Sequence, residues 1–416
     1  MKTKAREVEI EGLGAQGDGI VNTPSQPRLY VPFALPGERW RIAEGEPDKM
    51  LRAHPERATP LCRHFGSCGG CVAQHVPDDL YIAWKRAMVV HAFMHRGIEA
   101  PVGPLVGVPP ASRRRVTLYA RRYCKDLHLG YYRAATHDIL SVVECPIAVP
   151  AIAAALPALR EMLEPVLSGE GEAGITVLAT PAGLDVRMMF TRGGSVRKDY
   201  PRMAALAARH GFARLTVEQD TLVQSRRPLL TFGSVEVEPP PGAFVQAVPQ
   251  AEAVMVRLVV AAAGKAKRVA DLFCGIGTFT FALARHARVL ALDHEEASVA
   301  ALRAAVRRAQ GLKPIEAKVR DLFRVPISAK ELGGFDAAVL NPARAGAESQ
   351  AHQLARASVP IVIYVSCNPG TLARDVRILL DGGYTLESVS PIDQFLYAPH
   401  VEAVAVLRRP KRSPPP

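Results

Sequence analysis

Several common features are missing from this sequence. No apolar run approaches the ~18 residues that a membrane-spanning helix requires. The opening residues, MKTKAREVEIEG, are charged throughout and hold no apolar leader core. The expected compartment is therefore the cytoplasm. Internal repeats are absent. Acidic residues are in deficit: 40 Asp and Glu stand against 52 Lys and Arg, giving a net charge of +12 and a pI near 9.5. That balance favours polyanionic partners. Apolar residues make up 48% and charged residues 22%, which excludes a wholly disordered chain and a coiled-coil rod. The 416 residues are enough for about two to four domains.

The seven cysteines are Cys62, Cys68, Cys71, Cys124, Cys145, Cys274 and Cys367. An odd count without a secretory leader argues against a disulfide framework. Cys62, Cys68 and Cys71 crowd into ten residues, and Cys145, followed by Pro146, lies far downstream. Four thiolates on one centre fit a [4Fe–4S] cluster or zinc. Zinc sites usually pair two short knuckles, so three clustered cysteines and a remote Cys-Pro point toward iron–sulphur. Cys124 is left unassigned.

Residues 5–43 alternate short apolar runs with glycine-rich turns and read as a small barrel. Residues 44–61 are polar and proline-bearing, and read as a linker. A helix is expected from Asp78 to Arg96, with Leu80, Trp84, Met88 and Phe93 at helical spacing. Strands interrupted by arginines occupy 105–145, and mixed signals continue to about 232. From about 244 the chain alternates strand and helix regularly. That order implies a parallel sheet with helices on both faces and an antiparallel ending. The proline-rich tail RRPKRSPPP is expected to be disordered.

Chemistry-bearing motifs concentrate in this last region. The turn Asp271-Leu272-Phe273-Cys274-Gly275-Ile276-Gly277-Thr278-Phe279 links a strand to a helix, as where an open sheet meets a nucleotide-like ligand. Thr280 replaces the third glycine of dinucleotide folds, which disfavours NAD. S-adenosylmethionine (SAM) needs no phosphate cradle, and Asp293 at the end of the next strand can accept from ribose hydroxyls. The alternative is a tight structural turn. Ser366-Cys367-Asn368-Pro369 places a thiol at a strand end near a helix start, a location that favours thiolate; an inert core cysteine is the other reading. Asn341-Pro342-Ala343-Arg344 offers a polar contact and a cation, or an ordinary turn. Asp393 with His400-Val401-Glu402 offers a general base, or a solvated edge-strand charge. Arg113-Arg114-Arg115 and Arg121-Arg122 interleave with Tyr119, Tyr131, Tyr132 and Arg133, which suits phosphate contact and base stacking, or a solvated basic face.

Together these motifs resemble the RNA (uracil-5-)-methyltransferase family, and within it the iron–sulphur branch that forms 5-methyluridine in 23S rRNA. The carrying residues span nearly the whole chain. They are the L-P-G-E turn at Leu35 to Glu38, the string C-x5-C-G-G-C-x-x-Q-H from Cys62 to His75, Phe244-Val245-Gln246, the glycine turn, Ser366 to Pro369, and His400-Val401-Glu402.

The resemblance implies an α/β architecture. A Rossmann-like class I methyltransferase domain (233–416) is preceded by an OB-like, RNA-binding TRAM β-barrel (1–55) and a central iron–sulphur α+β domain (56–232) that also binds RNA. It implies Cys367 as nucleophile, Glu402 as base, and Gln246, Phe273, Thr278, Asp293, Asp321 and Asn341 as SAM-binding residues. Cys62, Cys68, Cys71 and Cys145 become ligands of a [4Fe–4S] cluster. The implied partner is RNA, 23S rRNA ahead of tRNA, with no membrane and a monomeric chain.

The sequence departs from the family pattern in three places. Asn341 and Ala343 interrupt its D-P-P-R motif, Val248 replaces an asparagine, and Asp293 replaces a glutamate. Two other readings follow from these motifs. An amino-methyltransferase is one, because N-P-A-R is reminiscent of N-P-P-[YFW]. A catalytically impaired iron–sulphur RNA-binding protein is the other.

Overall fold

The computed structural model describes residues 5–22, 28–43, 46–167, 171–192 and 196–410. The last six residues of the proline-rich tail lie outside that set. The C-terminal sheet has seven strands: Arg268–Leu272, Arg288–Asp293, Ile315–Val319, Ala337–Leu340, Ile361–Ser366, Thr385–Ile392 and Glu402–Arg408. Numbered one to seven along the chain, they lie in the order 3-2-1-4-5-7-6. The first five pair in parallel. The last strand runs against both its neighbours. This is the α/β sheet with an antiparallel ending that the sequence leads one to expect.

Its strands are apolar on both faces because helices cover both. Val339, Ile363 and Val404 enter one core, while Leu340, Tyr364 and Ala405 enter the other. Alternate side chains of a strand must point to opposite faces. Helices Pro249–Ala263, Thr280–Ala284, Glu296–Val306, Glu348–Arg356 and Pro369–Asp381 supply the covering layers.

Helix Asp78–Met94 forms where the apolar spacing predicts it. Its partner is not the one that sequence order suggests. Val89 and Phe93 are buried in the same core as Leu340 and Tyr364. Just beyond the helix, Val102 and Val106 form parallel bridges with Val389 and Ile392. Residues 78–106, placed within the 56–232 unit by sequence, thus pack on the C-terminal sheet. Helical periodicity identifies which side chains are buried, but not what they are buried against.

A second seven-stranded sheet, of mixed direction, runs from Arg115–Tyr123 to Asp220–Gln224. Val116, Leu118 and Ala120 face a core shared with helix Leu156–Leu163. The intervening Arg115, Tyr119, Arg121 and Tyr123 therefore lie on the opposite face. Some of this basic group is already spoken for: Arg121 pairs with Glu172, and Arg122 with Glu164.

At the N-terminus, the described residues form two three-stranded sheets, not one continuous barrel ladder. They meet over a small core of Ile10, Val21, Val31, Ala34 and Ile42. Part of the expected linker is a strand, since Glu46–Arg52 pairs with Arg39–Ala43. That strand is almost wholly exposed, so it carries no apolar alternation. Its backbone partner alone defines it.

Phe93→Ala is expected to lower stability by about 3–5 kcal/mol, because Phe93 is fully buried and truncation leaves a cavity. Urea unfolding measures the loss. Hydrogen exchange should quicken in strand Ile361–Ser366; unchanged exchange there would show that the helix is not part of that core.

Candidate active site

Parallel strands deliver their carboxyl ends to one edge of a sheet, and ligands bind there, where the strand order reverses. A cavity of about 460 Å³ opens at that edge. Gln246, Phe273, Thr278, Asp293, Asn341, Cys367 and Glu402 all line it. Asp321 is not among its lining residues. Its Oδ1 accepts from the backbone N–H groups of Phe323 and Arg324 at 3.0 and 3.2 Å. That turn presents Phe323, which does line the cavity. Asp321 therefore shapes the wall from behind.

The glycine turn is shaped by backbone freedom and two carboxylates. Gly275 and Gly277 adopt φ of 53° and 101°, and a Cβ on Gly277 would lie 2.6 Å from the Phe281 ring. Phe273 also has positive φ, at 62°, an unfavourable conformation for a bulky residue. Its ring packs 5.1 Å from that of Phe323. Asp293 accepts from Gly275 N at 2.8 Å and Glu295 N at 2.9 Å, so it fixes the turn as well as lining the cavity. Asp271 is fully buried, and Thr280 donates to it. Burial pushes Asp271 up to about 7. The position that carries a glycine in dinucleotide folds here carries the hydroxyl that this buried carboxyl needs.

Cys367 follows strand Ile361–Ser366. The ladder pairs Ile361 with Arg408 and Ser366 with Ala403. One step beyond that ladder, Cys367 and Glu402 both line the cavity, close enough for the Glu402 carboxylate to act on the thiol. Asn368 caps the next helix, accepting from Gly370 N at 3.0 Å, and donates to the Arg344 carbonyl at 3.1 Å. Proximity to the helix start does not make Cys367 a resting thiolate. Burial and the Glu402 carboxylate push the thiol up to about 11, and the Arg344 guanidinium opposes them.

Glu402 is not a solvated edge charge. Its strand lies between two others, and its side chain is buried. Burial pushes it up to about 7, against a hydrogen bond from Gln394. Gln394, a residue the motifs did not single out, organises this region. Its Nε2 donates to Glu402 and, at 2.8 Å, to Gln246 Oε1, while its Oε1 accepts from Ala247 N at 3.2 Å. Asp393 is also buried, paired with Lys85 at 2.7 Å. At 3.3 Å, Arg344 Nη2 meets His400 Nδ1. A guanidinium can only donate, so Nδ1 accepts and the ring proton sits on Nε2. Burial, Arg344 and Lys85 hold His400 below its ordinary value, hence neutral. Val248 precedes helix Pro249–Ala263 without a side-chain cap. Pro249 has no N–H to satisfy, which softens that loss.

A second cavity, of about 490 Å³, is lined by Cys62, Cys68, Cys71 and Cys145, and shares Phe395 and His400 with the first. Among the described residues, no group of three or more His, Cys, Asp or Glu side chains is gathered as a metal-ion site. Cys68 accepts from Gly70 N at 3.4 Å, and Cys62 N donates to Gln74 at 3.0 Å. Cys124 is exposed and stands apart from the other four. Among the described residues, no helix is long and apolar enough to cross a membrane.

This sheet order, with a cavity at the glycine turn and the strands' carboxyl ends, defines an open α/β fold of the kind that binds nucleotide-like ligands. Comparison with known proteins narrows the class. Residues 205–410 match the family described as tRNA (Uracil-5-)-methyltransferase. An uncharacterized RNA methyltransferase of Brucella suis biovar 1 (strain 1330) is 46% identical over 413 residues, covering 98% of this chain and 99% of that one. A 23S rRNA (uracil(1939)-C(5))-methyltransferase of Chromohalobacter salexigens is 31% identical over 97% of this chain and 89% of that one. The fold matches that of Pyrococcus abyssi tRNA (uracil-54, C5)-methyltransferase in complex with S-adenosyl-L-homocysteine. The TM-score is 0.71 and identity 22%, over 97% of this chain and 100% of that one. The chain belongs to the RNA (uracil-5-)-methyltransferase family, and it is an enzyme of that class.

Gln394→Leu removes the donor that stabilises ionised Glu402. Any activity requiring that carboxylate should then need a more alkaline pH, with its midpoint moved up by about one to two pH units, since a hydrogen bond to a charged group contributes ~1.5–3 kcal/mol. A pH–rate profile measures this; an unmoved midpoint would show that Gln394 does not control Glu402.

Proposed function

We propose that this enzyme forms 5-methyluridine in 23S rRNA through a covalent adduct between Cys367 and uracil C6. The observation that carries the reading is that Cys367, just past the end of one strand, and Glu402, at the start of the strand paired with it, line one cavity. Uracil C5 is a weak nucleophile. Cys367, its Sγ proton first given up to solvent, attacks C6 as the thiolate, which forms a C–S bond and moves the ring electron pair toward C5 and O4. Bound SAM supplies the methyl group, which C5 then takes. Glu402 removes the remaining C5 proton. Those electrons re-form the C5–C6 double bond, the C6–S bond breaks, and Cys367 leaves as thiolate. Gln246, Phe273, Thr278, Asp293 and Asn341 hold the cofactor and base in this cavity, and Asp321 acts through Phe323. Arg344 opposes the burial that keeps Cys367 protonated. Reaching a thiol in a cleft requires the uridine to leave its stack.

Choice of 23S rRNA rests on the 31%-identical relative of that name and on the four-cysteine cavity. We assign that cavity a [4Fe–4S] cluster held by Cys62, Cys68, Cys71 and Cys145. Each thiolate of such a cluster binds a different iron, so the four need not converge as tightly as around one ion. Burial and the neighbouring cysteines push Cys71 up to about 12. Four thiolates are tolerable there only around a cationic centre. The cluster orients the segment between the two cavities, and the N-terminal sheets act as the RNA-binding TRAM unit. The three expected units (1–55, 56–232 and 233–416) work as one monomer.

Cys367→Ala should abolish 5-methyluridine formation on protein-free 23S rRNA, and Glu402→Gln should accumulate an SDS-stable protein–RNA adduct. Methylation surviving the first change, or prompt release by the second, would overturn these roles. Mass spectrometry of separately purified 23S rRNA and tRNA from a deletion strain decides the substrate; loss from tRNA alone would replace rRNA in this reading.

Anaerobically purified protein should carry about four irons per chain, and Cys145→Ser should lose them. One zinc per chain with no iron would overturn the cluster.

A further inference from the structure

We propose that Lys85, with Tyr81, is a positioning residue for proton removal: it clamps the Asp393–His400 loop and so sets Glu402 through Gln394. This rests on the role proposed above for Glu402. Lys85 Nζ donates to Asp393 Oδ1 at 2.7 Å, to the Phe395 carbonyl at 3.0 Å and to the His400 carbonyl at 2.6 Å. An ammonium has three protons, and all three are used at the two ends and the middle of one loop. Tyr81 OH donates to the other Asp393 oxygen and accepts from Tyr397 N at 2.8 Å. Tyr397 has φ of 59°, a conformation that persists only where surroundings impose it.

The clamp sits within two residues of the catalytic apparatus at each end. Asp393 is followed by Gln394, which holds both Glu402 and Gln246. His400 lies two residues before Glu402 and contacts Arg344. Lys85 and Asp393 are 0% and 1% exposed at their side chains. Removing one partner would strand a buried charge, whereas removing both leaves a neutral pair of similar size. A buried ion pair does little for stability relative to apolar packing, but a three-way clamp on a loop fixes geometry. Proton abstraction is sensitive to displacements of about 1 Å.

The experiment compares Lys85→Met/Asp393→Asn and Tyr81→Phe with wild type on protein-free 23S rRNA. It reads SAM affinity, kcat and the fraction of enzyme in SDS-stable adduct. For the double variant, kcat should fall about 10- to 100-fold while the adduct fraction rises and SAM affinity stays within about twofold. Tyr81→Phe, which keeps the ion pair and should fold normally, should shift kcat and adduct in the same sense by a smaller factor. Adduct and turnover falling together, or an unchanged kcat in both variants, would overturn the proposal. Glu402→Gln is run alongside. If it traps no adduct, the base assignment itself fails; if it traps adduct and the clamp variants do not, only the clamp fails.

Discussion

Everything at this site depends on one register. Five parallel strands end at the same edge of the C-terminal sheet, and the last strand, running the other way, begins there. Residues more than a hundred positions apart in the chain are thereby brought to one line. Asp293, Asn341 and Cys367 arrive by their strands' carboxyl ends, and Glu402 arrives by its strand's amino end. A slip of one residue in the final ladder would turn Glu402 to the other face of the sheet. Apolar cores on both faces hold the register, since Ala403, Ala405 and Leu407 face one and Val404 and Val406 the other.

That register would be of little use if the segment before Glu402 could move. It is tied instead to a helix some 300 residues earlier, through the buried pair of Lys85 and Asp393. The same segment also receives hydrogen bonds from Val72 and Ala73, directly after Cys71: both donate to the Tyr397 carbonyl, at 2.8 and 3.2 Å. The cysteine-lined cavity and the catalytic cavity are thus two sides of one loop.

Burial tunes the two proposed reacting groups in opposite senses of usefulness. It lifts the Glu402 carboxyl to about 7, where a base works well near neutral pH. It also lifts the Cys367 thiol to about 11, away from the nucleophilic form. A dry site that suits the proposed base therefore handicaps the proposed nucleophile, and Arg344 is the countervailing charge. The side chain at 341 matters here. A carboxylate in place of Asn341 would add negative charge to the cavity that already holds Cys367 and Glu402.

The sequence by itself determined the kinds of element and the chemical inventory. Strand–helix alternation after residue 244, the glycine turn, Cys367 and the cysteine set are local patterns, and local patterns are readable because propensity and turn chemistry act over a few residues. The strand Glu46–Arg52 escaped this reading because it is exposed on both faces and shows no apolar alternation. Asp393 and Glu402 were open to a solvated interpretation because a carboxylate's letter carries no burial. Only the tertiary structure decided that Glu402 is enclosed, that Asp321 works from behind the cavity wall, that helix Asp78–Met94 packs on the C-terminal sheet, and that Lys85 and Gln394 matter at all. Each of those facts is a contact between distant parts of the chain. Burial, pairing and the pKa shifts they cause belong to such contacts, and no stretch of sequence contains both partners.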